Sequence, residues 1–180
     1  MLENILEALP YLVLISHVVF GILFLAIISR RSWGSKVQYF LGKNAVLGAF
    51  LISLVAVLGS LFYSELMGFE PCVLCWWQRI FLYPLLIIFG MAIWKRLPGA
   101  FLYAIPLTIL AGLIALYHAY APKILGSSLL PCLAEGGDCF KVYVSAFGYI
   151  TIPVMSLTVV AYILLLAWAH RLYRNENSNS

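Results

Sequence analysis

Charge is what this sequence has least of. Asp, Glu, Lys and Arg together make up 10% of its 180 residues, against about 25% in a typical soluble domain. Another 64% are hydrophobic, so there is too little polar surface to cover a soluble core. The few charges sit in blocks between long apolar runs. No basic stripe with interleaved aromatics occurs, which sets nucleic acid aside as a partner. The runs are continuously apolar rather than alternating, which disfavours a membrane β-barrel. No internal repeat and no low-complexity tract interrupts them. No Lys or Arg precedes the first run, which follows Glu3 and Glu7 and is too long for the core of a cleavable signal peptide. Cysteine is absent from the runs themselves and from every basic block.

What is present is a set of membrane spans. About 20 apolar residues are needed to cross a bilayer as a helix, and a helix satisfies its own backbone groups in lipid. Five segments qualify: Tyr11–Ser29, Ala45–Leu66, Trp76–Trp94, Ala100–Tyr120 and Phe147–Ala169. The fold class read from this is an all-α integral membrane protein. Basic residues favour the cytoplasmic side, and they lie between spans one and two (Arg30, Arg31, Lys36, Lys43), after span three (Lys95, Arg96) and in the tail (Arg171, Arg174). The opposite side holds Glu3, Glu7, Glu65, Glu70, Glu135 and Asp138, with Lys123 and Lys141 as its only basic residues. One topology fits every loop: N-terminus outside, C-terminus inside. Trp33, Trp76, Trp77, Trp94 and Trp168 fall near span ends and read as an interfacial aromatic belt. The polar tail Asn175–Ser180 is expected to be disordered.

The four cysteines form two pairs, and this topology puts both outside, where disulfides persist. Cys72 and Cys75 follow Pro71, which suits a helix start, and so lie at the N-terminus of the third span. Free N–H groups and the helix dipole there favour a thiolate. Arg79 lies one turn further along on the same face. An arginine just inside a membrane is costly and usually functional, and its expected role is to hold negative charge on Cys75 or on a reduced quinone oxygen. Cys132 and Cys139 bracket a turn containing Gly136 and Gly137, whose backbone freedom lets two cysteines meet. His118, near the outer end of the fourth span, could bond a quinone carbonyl or relay its proton, or simply pack. His17 reads as a packed, hydrogen-bonded residue, His170 as an interfacial one, and Glu65 and Glu70 as solvated loop charges.

The run from Pro71 through Cys-Val-Leu-Cys-Trp-Trp-Gln to Arg79, the later cysteine pair, His118 and the stretch Phe147-Gly-Tyr-Ile-Thr-Ile-Pro153 resemble the disulfide bond formation protein B (DsbB) family. The compact second pair is most similar to its BdbC-type branch. The resemblance covers about residues 45–171. It implies a four-helix redox domain over 45–171, preceded by an extra transmembrane helix and basic cytoplasmic loop over 1–44 and followed by a polar tail over 172–180. It also implies a bacterial cytoplasmic-membrane enzyme that reoxidises a thioredoxin-like (DsbA-like) thiol oxidase. Cys132 would meet the partner's thiolate, Cys139 would exchange with Cys72, and Cys75 would be released to engage a quinone held by Arg79. Thiolate–disulfide exchange permits such a relay. The quinone, ubiquinone or menaquinone, would carry the two-electron chemistry. The sequence departs from the family pattern in its first span and in the close spacing of the second pair.

Two other readings remain for the same cysteines. Four thiolates from two loops could hold a tetrahedral zinc, although the spacing of the second pair is loose for that and an oxidising compartment works against free thiolates. A scaffold with two structural disulfides would leave Arg79 unexplained.

Overall fold

The structure, a computed structural model, describes residues 2–29, 32–125 and 142–178. Cys132 and Cys139 lie outside the described residues. Within them the chain is all-helical, with no strand among the described residues: α1 (Leu2–Ser29), α2 (Ser32–Lys43), α3 (Ala45–Leu61), α4 (Val73–Lys95), α5 (Ala100–Leu125) and α6 (Ile152–Ser178). One turn of π-helix, Phe62–Leu66, extends α3. All of these except α2 are long and apolar enough to cross a membrane.

Helices α3 to α6 form a bundle, in which α4 packs on α3 and α5, and α6 packs on α3 and α5. Its core is built from small residues facing large ones. Ala45, Ala49, Ala104 and Ala111 are fully or nearly fully buried beside Leu85, Phe89 and Ile163. In lipid, apolar side chains gain little by leaving the solvent for each other, so close backbone approach and dispersion hold such helices. The outward residues are correspondingly apolar, for example Val55, Ile87, Leu102 and Trp94.

The segment expected as a basic loop between the first two spans is instead helix α2, packed on α6 and α1. It buries the stripe Gly34, Gln38 and Gly42, and exposes Lys36, Tyr39 and Phe40. Gly42 is required here. A Cβ at this position would run into Tyr173 and would stand 2.7 Å from the Ala169 carbonyl oxygen. The tail also departs from expectation, since α6 continues to Ser178. Gln38 donates to Glu176 at 3.0 Å, and Tyr39 packs edge-on against Tyr173, so α2 supports those last turns. His170 joins the same end, donating from Nδ1 to the Gly42 carbonyl at 3.0 Å and packing against Phe101.

At the opposite end α6 begins at Ile152, five residues later than the apolar run suggests. Phe147 and Gly148 have φ of 53° and 75°, left-handed values that no helix accommodates. A short bridge between Ala146 and Ile150 closes the resulting turn.

Candidate active site

Cys72 is the N-cap of α4, in extended conformation, and its Sγ accepts the backbone N–H of Cys75 at 3.4 Å. Pro71 before it cannot extend a helix from the preceding loop, so the first turn opens at the cysteine. A three-residue separation at a helix start turns both side chains to one side. Cys72 Sγ lies 3.1 Å from Cys75 Sγ, and the two are not joined to each other in a disulfide. The sequence expectation for the pair's position therefore holds.

The hydrogen bonds around the pair have a direction. The Gln78 side-chain amide donates to His118 Nδ1 at 3.0 Å. That fixes the proton of the ring on Nε2, which faces Cys72 Sγ at 3.8 Å. Cys72 in turn donates its thiol proton to Cys75. Gln78, His118 and Cys72 are all buried, at 5, 8 and 3% exposure, while Cys75 is only partly so. Each link thus pushes hydrogen-bond donation toward the more open sulfur. The Cys72 thiol is pushed up to about 12, first by its bond to Cys75 and then by burial, with the His118 bond acting the other way. The helix start does not lower the Cys72 thiol, because its bond to Cys75 and its burial outweigh it. His118 is accordingly tied to a cysteine and a glutamine. Gln78, to which the motif alone assigns no task, supplies its orientation.

Arg79 sits one turn beyond Cys75. Its Nε donates to Ser60 Oγ at 3.0 Å and its Nη2 to the Ser60 carbonyl at 3.2 Å, with the guanidinium 5.3 Å from the Trp76 ring centre. Tyr83 also donates to Ser60 Oγ, at 3.2 Å. Ser60 lies immediately before the last residue of α3 and the π turn, a wide turn of the kind often found beside functional sites. No sequence signal marked Ser60, because its partners come from another helix.

These groups border a cavity of about 660 Å³, within the range of small-molecule sites. Cys72, Cys75, Gln78, Arg79 and His118 line its polar end, with Ser60, Tyr83 and Glu70. Glu70 is exposed, as expected of a loop charge, yet it faces this space. The rest of the wall is mainly apolar, including Leu51, Val55 and Met155, with hydroxyls from Ser16, Ser156, Thr158 and Tyr162 among them. His17 is not part of that wall. It bonds Tyr149 and Thr158 at 3.1 and 2.8 Å, the packed role expected for it.

Comparison with known proteins bears on this arrangement directly. The family model for disulfide bond formation protein DsbB matches residues 42–170. The chain belongs to the DsbB family. Disulfide bond formation protein C of Bacillus subtilis (strain 168) is 39% identical to it over 128 residues, covering 69% of this chain and 91% of that one. The SPbeta prophage-derived disulfide bond formation protein B of the same strain is 40% identical over 121 residues, with coverage of 67% and 81%. A probable disulfide formation protein of Metapseudomonas resinovorans is 34% identical over 125 residues, covering 68% of this chain and 86% of that one. No solved structure matches this chain. The DsbB match spans α3 to α6 and the thiol pair, and it starts after α1. This DsbB-family chain is therefore a multi-pass bacterial membrane protein of the disulfide-forming oxidoreductase class.

Proposed function

We propose that the protein reoxidises the dithiol of a DsbA-like thiol oxidase outside the cytoplasmic membrane and delivers the electrons to a membrane quinone, ubiquinone or menaquinone. The observation that carries the reading is the Cys72–Cys75 pair on the wall of a largely apolar cavity, next to an anchored arginine. A quinone is a flat apolar ring with two carbonyl oxygens that gain negative charge on reduction. The cavity suits the ring, and the Arg79 guanidinium suits the charge. Cys75, receiving the Cys72 hydrogen bond, is the sulfur that faces the acceptor. In the net reaction, two thiols and one quinone become one disulfide and one quinol, so two electrons and two protons move together. Cys132 and Cys139 are assigned the steps between partner and Cys72, by exchange of one disulfide for another. His118, with Nε2–H toward Cys72, holds the proton-bearing side of the pair in place.

The test is quinone reduction by the purified protein in lipid nanodiscs, driven by a reduced thioredoxin-like dithiol protein. Cys72, Cys75, Cys132 and Cys139 single serine variants should each lose turnover while remaining folded. Full turnover in Cys75→Ser would sink the reading.

One observation favours a second reading. Cys72, Cys75 and His118 offer donor atoms all within 4.8 Å of one another, a spacing that suits a soft cation such as zinc. Stoichiometric zinc in the purified protein, with no turnover and thiols shielded from alkylation, would establish that reading instead.

A further inference from the structure

Helix α1 lies outside the stretch that matches the family, yet it borders the cavity. Leu9, Leu12, Val13 and Ser16 line it, and this spacing is a single stripe along one helix face. The facing wall is α3, through Leu51 and Val55 among others. Leu12 is 60% exposed and Val55 69%, so these lining residues form an open edge of the cavity rather than its closed depth. Toward the cysteines the lining is polar, whereas the α1–α3 edge is formed mainly by Leu9, Leu12, Val13, Leu51 and Val55, with Ser16 at the end of the stripe.

The attachment of α1 is specific. His17 Nε2 meets Thr158 Oγ1, whose own proton goes to the Val154 carbonyl, so the ring nitrogen donates there and Nδ1 accepts from Tyr149. The Tyr162 hydroxyl donates to the Ser16 carbonyl at 2.6 Å. These bonds fix the rotation of α1 on α6 and thereby turn the Leu9–Ser16 stripe toward the cavity. The opposite face, with Ile15, Val18 and Ile22, is exposed.

Building on the quinone reading above, we propose that α1 is a wall of the quinone site and that the prenyl tail of the quinone leaves the bundle between α1 and α3, past Leu12, Val13 and Val55. The polar end holds the ring, and the mainly apolar, exposed edge at Leu12 and Val55 is a chemically matched path for a long hydrocarbon tail. His17 is a positioning residue for that path and does not touch the tail.

The experiment compares a long-tailed prenyl quinone with a tailless analogue in nanodiscs. Val13→Trp and Val55→Trp narrow the path from its two sides, and Ile15→Trp on the outward face is the control. The KM for the prenyl quinone should rise about tenfold in the first two variants, as pocket contacts of this size allow. The KM values for the tailless quinone and for the dithiol protein should stay within about twofold, and Ile15→Trp should match wild type. Equal effects on both quinones, or none on either, would overturn the proposal. A prenyl quinone carrying a photoreactive group on its tail gives a readout that needs neither turnover nor a variant. It should label peptides of α1 and α3 in the wild-type protein. Reduction of quinone without any α1 label overturns the tail path and leaves the proposed function standing. Labelling of α1 without reduction of either quinone has the reverse meaning.

Discussion

At the scale of the residue, the site is a small set of side chains that constrain one another's protons. Because Cys72 is pushed up to about 12, its alkylation in the reduced protein should accelerate about tenfold per pH unit from 8 to 10 without levelling off. A plateau below pH 9 would show that Cys72 does not hold its proton as described. The sign also bears on stability. A thiol whose value is raised from 9 to about 12 on folding stabilises the reduced fold below pH 9 and loses that contribution as pH climbs toward 12. Replacing Arg79 by Met should lower kcat/KM for quinone on the order of 10²-fold while leaving thiol exchange with the dithiol protein intact. Unchanged quinone use would remove Arg79 from the site. Much of this was legible in the sequence. The Cys-x-x-Cys after a proline, and an arginine one turn on, specify positions on a single helix start. Ser60 and the Gln78–His118 bond were not legible, since each depends on how α3 and α5 are set against α4.

At the scale of the element, span positions followed from hydrophobic length, while ends followed from local geometry that length does not encode. The apolar run beginning at Phe147 is interrupted by left-handed backbone at Phe147 and Gly148, so α6 starts later. Helix α2 is not evident from composition, because twelve residues with two glycines and two lysines, directly after Arg30 and Arg31, resemble a loop. Its order comes from tertiary contact with α6. Gly42→Leu should therefore destabilise the protein by about 1–3 kcal/mol through overpacking, read as a lower unfolding temperature in detergent, whereas Tyr39→Phe should be nearly neutral. Similar unfolding of the two variants would argue against the close α2–α6 contact.

At the scale of the whole molecule, Lys43 and Lys95, in the last turns of α2 and α4, gather with Arg171 and Arg174 of α6 at one end of the bundle, and the thiol pair sits at the other. In the proposed topology, with Lys and Arg biased toward the cytoplasm, the thiol end would face outward. A membrane-impermeant maleimide added to intact cells should label Cys75 after reduction, and should fail to label a cysteine placed at Lys95 until the membrane is opened. The reverse pattern would invert the topology and remove the thiols from an oxidising compartment. The family relationship extends across α3 to α6, so the overall bundle was readable from motif and span count together. The contribution of α1 to the cavity was not, because a lipid-facing helix and a cavity-lining helix have the same composition on three of their sides.

The two bonds from Arg79 to Ser60 have a consequence for timing. A guanidinium carries five N–H donors, and the Ser60 anchor engages two of them. The long, otherwise mobile side chain is thus immobilised when α3 docks against α4, before any acceptor arrives. Its loss of rotational freedom belongs to folding and is not repeated in each cycle of the proposed reaction, in which the field it projects into the cavity would already be oriented when negative charge develops there.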